Sequence, residues 1–497
     1  MQNILYISAF TVLQALLSTG IALVFGVAGA FFTANRSFFG KKFLLSLSSL
    51  PFCIPSLLIA LGFVSFFGLS GTLNSFLKSV FSFSEPPLRF LYSFLGIIIA
   101  QGFYNFPLVM ASVHDVWTTL PTEQQDAARL LGAGEVRIFR TVTIFELLPA
   151  LASSCMLVFL YCFFSFMIIL LFGGVGTSTL EVEIYKAARA SLDFAQTFKL
   201  ALCETALACL FVALYSKLEQ KSSQNRGISF YKRIPDTKIR SFSEKILAFF
   251  VFAFILLFFI APIFSIFYNG LSSSRELFTF STFLHVFKMK GFFPSLRTTL
   301  LIAFASSLLS VFVAFVYSAF LRSFDSRGKN LLLKVLPLLP MCVSSVVTGV
   351  IIIYFVRKGN VFHLILAQVF LTWALAFRQI YASLSKLPEE TIESARLLSA
   401  NPLNLVFRIY LPSSARSLLS AFGFCFAVSA GDTTLPLVLA LPKFTTLSLF
   451  TYRLAGSYRF HEACASGMIL GLLCAIVFAI GNKMKVRKAK GEFYGLF

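Results

Sequence analysis

Apolar runs of about 20 residues recur from one end of the chain to the other, separated by shorter polar segments. About 20 helical residues cross the ~30 Å hydrocarbon core of a bilayer. Backbone groups in lipid have no water to bond, so such runs must be helices that satisfy their own amides. The pattern predicts eleven spans, at about 4–33, 43–68, 90–112, 148–172, 196–216, 246–270, 297–320, 331–356, 361–384, 413–440 and 462–482. The first run starts at Ile4 with no Lys or Arg before Arg36. A cleavable signal peptide has a basic leader and a shorter core, so this run reads as a retained span. The longest polar stretch, 217–245, holds eight basic residues and reads as a linker. It divides the chain into 1–216, with about five spans, and 246–497, with about six. The fold class expected is an all-α polytopic membrane protein.

Composition agrees with the pattern. The chain is 58% hydrophobic and 13% charged, with mean hydropathy +0.84, a balance that excludes an ordinary soluble domain. A net charge of +21 would suit nucleic acid, but its distribution argues for topology instead. Most of the 42 Lys and Arg fall in one alternate set of loops: Arg36 to Lys42, 113–147, 217–245, Arg322 to Lys334, 385–412, and the tail from Lys483. That side is therefore expected to be cytoplasmic, with the amino terminus outside and the carboxyl terminus inside. The nine Cys lie in or beside apolar segments without a C-x-x-C pair, and read as free buried side chains. The 63 Phe suit lipid-facing positions or a path for an aromatic substrate.

The two halves repeat each other. Asp126-Ala127-Ala128-Arg129-Leu130-Leu131-Gly132 returns 267 residues later as Glu393-Ser394-Ala395-Arg396-Leu397-Leu398-Ser399. At the same offset Ala100-Gln101 returns as Ala367-Gln368, Pro121 and Glu123 as Pro388 and Glu390, and Thr179-Leu180 as Thr446-Leu447. Tyr185-Lys186 likewise returns as Tyr452-Arg453. Leu50-Pro51-Phe52-Cys53 matches Leu339-Pro340-Met341-Cys342 at an offset of 289. The first half should therefore carry 22 extra residues, placed in loop 69–89. Paired blocks fall on the same side, so the repeats are parallel rather than inverted. Span 246–270 has no mate; its partner would precede residue 1.

No G-x-x-x-x-G-K-[ST], no H-E-x-x-H and no Cys/His ligand cluster occurs, so no catalytic, metal or cofactor site is expected. The chemistry that remains is docking. Pro121 followed by an acid-rich turn starts a short helix. Ala127, Ala128, Leu130 and Leu131 give it a small apolar face, and Gly132 permits a tight turn. An exposed helix this short gains little from its own propensity and needs a partner surface.

This element resembles the E-A-A-x-x-x-G loop of the permease subunits of binding-protein-dependent ABC importers, which continues for nine residues and closes with I-x-L-P. The second copy closes with Ile409-Tyr410-Leu411-Pro412, in register, with Ser394 for Ala and Ser399 for Gly. The first keeps Gly132 but has Asp126 for Glu, and closes Val142-Thr143-Ile144-Phe145. The resemblance implies two tandem permease repeats of the MetI-like kind. It also implies that Glu123, Asp126, Ala127, Ala128, Gly132, Glu390, Glu393, Ala395, Ser399 and Pro412 belong to loops that dock on separate cytoplasmic ABC ATPase subunits, two copies being expected. The chain itself would be no enzyme. A periplasmic or extracellular substrate-binding protein would dock on outer loops 69–89, 173–195 and 441–460. The other partner is membrane lipid, not nucleic acid.

Two halves fused in one chain resemble the thiamine and iron(III) permeases. Thr179 to Tyr185, Tyr452-Arg453 with Gly456 to Arg459, and Phe67-Gly68 with Ser70-Gly71 and Leu73-Asn74 resemble the thiamine branch. Thiamine or its phosphate is then the expected substrate, with iron(III) the alternative. An ion-driven secondary transporter is the rival of another class, and the duplicated docking motif argues against it. A lipid-modifying membrane enzyme would need a polar constellation that the sequence lacks.

Four of the polar residues inside spans are candidates for a path. Gln101 and Gln368 either line a path or hydrogen-bond between helices. Intramembrane acids are costly and often functional. Glu204 either faces a path or makes an internal bond. Asp432, after Gly431 and before Thr433 and Thr434, either faces a path or caps a half-helix. An acid and aromatic faces would suit a cationic thiazolium.

Overall fold

The computed structural model describes residues 4–47, 51, 54–120, 123–174, 177–223, 237–239, 241–272, 279–324, 333, 336–356, 359–397, 401–441 and 444–486. It is helical almost throughout. Among the described residues ten helical stretches are long and apolar enough to cross a membrane: 4–35, 56–81, 94–117, 135–163, 194–214, 242–270, 292–324, 361–384, 403–431 and 460–481. The chain divides into two compact units, residues 1–51, 59–187 and 193–265 in one, and 52–58, 188–192 and 266–497 in the other.

The first unit begins with α1 (Ile4–Asn35) and α2 (Lys41–Leu47). Then come α3 (Ser56–Phe67), α4 (Thr72–Phe81) and α5 (Phe94–Trp117). A short α6 (Glu123–Leu130) and α7 (Glu135–Ile138) lead through a π turn, Phe139–Thr143, into α8 (Ile144–Phe163). After a break come α9 (Met167–Phe172), α10 (Leu180–Arg189) and α11 (Phe194–Ser223). Next is α12 (Phe242–Ile255), joined by a π turn, Leu256–Ile260, to α13 (Ala261–Gly270).

The second unit repeats this order. It holds α14 (Ser281–Lys288), α15 (Phe292–Phe324), a 3₁₀ segment at Leu336–Cys342, α16 (Ser345–Val356) and α17 (Val361–Leu384). There follow α18 (Glu389–Leu397), α19 (Pro402–Leu405), a π turn at Val406–Tyr410 and α20 (Leu411–Gly431). The last are α21 (Thr434–Leu439), α22 (Leu447–Gly456) and α23 (Phe460–Val486).

The offset of 267 recurs element by element. It carries α5 onto α17, the π turn at 139–143 onto that at 406–410, α9 onto α21 and α10 onto α22, each with both ends in register. An offset of 289 carries α3 onto α16. All 22 extra residues of the first half lie between Phe67 and Phe94, where α4 has no counterpart. Asn74 fixes that insertion: its buried amide donates to Gly68 O (2.9 Å) and Leu88 O (2.8 Å) and accepts from Leu88 N (3.0 Å).

Four apolar runs are not single spans. Among its described residues the run 331–356 holds the 3₁₀ segment and the twelve-residue α16, because Pro337 and Pro340 remove donors and clash with the preceding turn. This is why ten stretches qualify as spans and not eleven. In the run 43–68 the described residues Ile54 and Pro55 are non-helical just before α3. The runs 148–172 and 413–440 are each a long helix followed, after a break, by a six-residue half-helix.

Within the first unit small residues set the closest approach. A Cβ at Gly26 of α1 would lie 2.5 Å from Val109 Cβ, and one at Gly102 of α5 would lie 2.7 Å from Ile21 Cβ and 3.1 Å from Ser18 O. Without a hydrophobic drive between helices in lipid, such close contact is what holds them together. Helix α12 and its π turn lie against α1 and α5 through ring pairs, including Phe25–Phe254 (5.6 Å) and Phe103–Phe258 (5.0 Å). At its start the Arg36 guanidinium pairs with Glu244 (2.6 Å), and Arg36–Ser37 forms a two-residue parallel ladder with Thr237–Lys238. Linker residues 224–236 lie outside the described residues. The eight described cysteines are thiols outside any disulfide.

Candidate functional site

The repeated polar element folds as a short helix in each half. In the first copy α6 ends in a Schellman motif: Gly132 N donates to Arg129 O (2.9 Å) and Ala133 N to Ala128 O (3.0 Å). Gly132 sits at φ +79°, a left-handed position that a Cβ disfavours. The anticipated turn residue is thus the one whose backbone requires glycine. Its repeat mate Ser399 lies outside the described residues.

The side chains divide into an inward and an outward set. Gln125 and its mate Ile392 are the buried anchors; Ile392 joins a core with Leu384, Leu405 and Tyr410. Ala128 and Ala395 are half-buried, while Glu123, Asp126, Ala127, Glu390 and Glu393 are exposed. Leu130 and Leu131 are each 89% exposed, and Leu397 is 85% exposed. Bare leucines at the tip of a polar helix have no packing reason within this chain. Pro412 lies in the first turn of α20, directly after the π turn Val406–Tyr410. Phe145 takes its place in the first copy and is exposed.

Each copy is held by its own arginine, which the motif alone did not single out. Arg129 bonds Asp126 (2.7 Å) on its own helix and Glu135 (2.8 Å) on α7, tying the two arms of the first loop. Arg129 holds the Glu135 carboxyl below its ordinary value of 4.5, and its own pKa is raised in return. In the second copy Pro402 stands where Glu135 would be, and the tie comes from α15. There the buried Arg322 donates to Leu387 O (2.9 Å) and lies 3.6 Å from Glu389.

Arg129→Ala should therefore loosen the first loop alone, seen as faster amide hydrogen exchange over 127–133. A depressed carboxyl pKa stabilises the folded loop above the ordinary value and loses that effect as pH falls through the folded one. The difference between variant and wild type should accordingly shrink below about pH 4.

The intramembrane polar residues fall into local networks. Ser18 Oγ donates to Gln101 Oε1 (3.1 Å), and Asn105 Nδ2 to Gln101 O (3.0 Å). In the second half Gln368 Nε2 donates to Ser429 O (3.2 Å), the Ser429 hydroxyl donates to Gln368 Oε1, and Thr372 bonds Gln368 O (2.7 Å). Both glutamines are at most 2% exposed. A second pair matches across the repeat: Leu180 N donates to Thr11 Oγ1 (3.0 Å), and Leu447 N to Thr299 Oγ1 (2.7 Å). Asp432 Oδ1 accepts from Thr434 N (2.9 Å) and Leu435 N (3.4 Å), so it caps the half-helix α21. Glu204 is fully buried on α11.

The sequence profile of the binding-protein-dependent transport system inner membrane component matches residues 22–224 and 329–484. The chain belongs to this family. It is thus a multi-pass inner membrane transporter subunit of the permease class. The thiamine transport system permease protein ThiP of Haemophilus influenzae is 28% identical over 484 residues, covering 94% of this chain and 86% of that protein. That of Escherichia coli K12 is 25% identical over 502 residues, covering 98% and 90%. A solved bacterial alginate ABC transporter in complex with an alginate-bound periplasmic protein superposes on 50% of the permease and 94% of its own chain, at TM-score 0.42 and 15% identity.

Proposed function

We propose that this permease forms the membrane path of an ATP-driven thiamine importer and docks separate ATPase subunits through α6 and α18. The observation that carries the docking is the pair of matched short helices, each anchored inward and each presenting bare leucine outward. Thiamine follows from similarity to thiamine permeases over almost the whole chain. Iron(III) and an ion-driven mechanism gain no support from these relatives.

In this reading the basic loops face the cytoplasm, with the amino terminus outside and the carboxyl terminus inside. Two ATPases dock, one per half, and hydrolysis happens on them. A soluble binding protein delivers substrate to the opposite face, at 69–89, 173–195 and 441–460. Residues 1–216 and 246–497 act as the two transmembrane domains, joined by 217–245. Gly132 shapes the first docking loop, and Ser399 is assigned the same place in the second. The acids Glu123, Asp126, Glu390 and Glu393 border the docking surface.

Gln101 and Gln368 act as interhelical fasteners and Asp432 as the cap of α21, rather than as path residues. Gln368→Leu should cost about 1 kcal/mol of stability, in line with hydrogen bonds between membrane helices. Transport per folded molecule should be unchanged, read by uptake normalised to monodisperse protein. Glu204 is the remaining acid that a cationic substrate would meet, and Glu204→Gln tests it in the same assay.

The deciding experiment is uptake of labelled thiamine and labelled ferric ion, in parallel, by cells with and without this gene. Loss of thiamine uptake alone is expected. Loss of iron uptake alone would overturn the substrate and leave the docking mechanism in place.

A further inference from the structure

A cavity of about 440 Å³ opens on the second unit, between the start of α15 and the segment carrying α22. Its walls include Lys290, Pro294, Thr298, Phe450, Arg453 and Arg459, and no acidic residue lines it. The three cations differ in what they already hold. Arg459 is committed to Glu462 (3.0 Å) beneath the cavity. Arg453 is exposed and, among the described residues, its guanidinium reaches the Thr445 hydroxyl (3.3 Å) and no carboxylate. Lys290 is exposed and forms no ion pair among the described residues.

Comparison of the two halves shows how this arises. At the position 267 residues before Arg453 the first half has Lys186, which pairs with Glu183 (2.9 Å). The mate of Glu183 is Phe450, whose ring forms a wall of the cavity. The mate of Arg459 is Leu192. The first half neutralises its cation internally, whereas the second turns its cation toward the cavity. Tyr458, between Ser457 and Arg459 of the lining, is 86% exposed at φ +60°. An exposed aromatic beside arginine is the pairing that dominates binding energy at protein interfaces.

We infer that this pocket receives an acidic side chain of the soluble substrate-binding protein. The inference rests on the importer reading, which places 441–460 on the outer face. A guanidinium fork matches a carboxylate in two hydrogen bonds, and an ammonium adds charge at the rim. Opposite charges at such a site raise the encounter rate and fix the orientation of docking.

The test is the importer reconstituted in liposomes with its ATPase, titrated with thiamine-loaded binding protein. Lys290→Glu with Arg453→Glu should raise the half-saturating concentration at least tenfold. Turnover without binding protein and ATPase co-purification should be unchanged. Added salt should weaken docking in the wild type and much less in the variant. If the double variant does not assemble, Arg453→Gln is read in the same titration, with about a threefold rise expected. An unchanged half-saturation point would overturn the pocket while the importer stands. A defect that follows anionic lipid content without binding protein would assign the pocket to a headgroup and overturn the inference. A wild type that no binding protein stimulates would overturn the importer reading, and this inference with it.

Discussion

Leu130→Asp with Leu131→Asp should abolish co-purification of the ATPase subunits while leaving the spans folded. Both side chains are 89% exposed, so this chain loses no packing when they change. A docking partner loses two apolar anchors. Each buried leucine contributes about 2 kcal/mol, so docking should weaken by roughly three orders of magnitude. The new carboxylates would also need to be desolvated in the groove, which adds to the loss. The check is a pull-down from detergent-solubilised membranes, with size-exclusion elution as the control for folding. Full co-purification by this variant would remove α6 from the docking surface. Leu397→Asp should act the same way through the second copy, and more weakly because a single leucine changes.

Gly102→Val should have the largest effect on folding itself. Glycine there lets α5 approach α1 until an added Cβ would meet Ile21 Cβ at 2.7 Å and Ser18 O at 3.1 Å. The second contact is backbone, which no rotamer change relieves. Overpacking of a well-fitted core costs about 1–3 kcal/mol, and separation of these two helices also stretches the Ser18–Gln101 bond. The yield of monodisperse protein should fall severalfold and its melting temperature by several degrees. Gly20→Val on α1, where an added Cβ meets nothing within 4 Å, should leave both near wild type. Equal behaviour of the two variants would show that close approach is not what holds α1 to α5.

Much of this architecture was legible because the physics of lipid is blunt. Length and apolar character placed the helices, and the repeated Ala-Arg-Leu-Leu signal located both short polar helices, α6 and α18. The 22-residue insertion was legible from the change in offset alone. Other features were not. Pro55 stands at the break before α3 in a run whose hydropathy is continuous, and hydropathy does not register a missing N–H. The half-helices follow from breaks at 164–166 and 432–433, of which only Gly431-Asp432 left a trace in the sequence. Gln101 and Gln368 were identified as mates, but their partners Ser18 and Ser429 are tertiary and carry no motif. Arg129 belongs to the repeated Ala-Arg-Leu-Leu block, and nothing in that repeat signals that it joins two arms through Glu135, six residues on.

The polar linker offers a place to cut in the sequence, yet helix α12 beyond it packs on α1 and α5. Its entrance is held by the Arg36–Glu244 pair and the ladder from Arg36–Ser37 to Thr237–Lys238. A gene divided at 224–236 would therefore produce an amino-terminal piece with an uncovered apolar face. The carboxyl-terminal piece would begin with a helix whose binding surface is on the other chain. Two such fragments could work only as a complementing pair, and the later one would carry the element needed to finish the earlier.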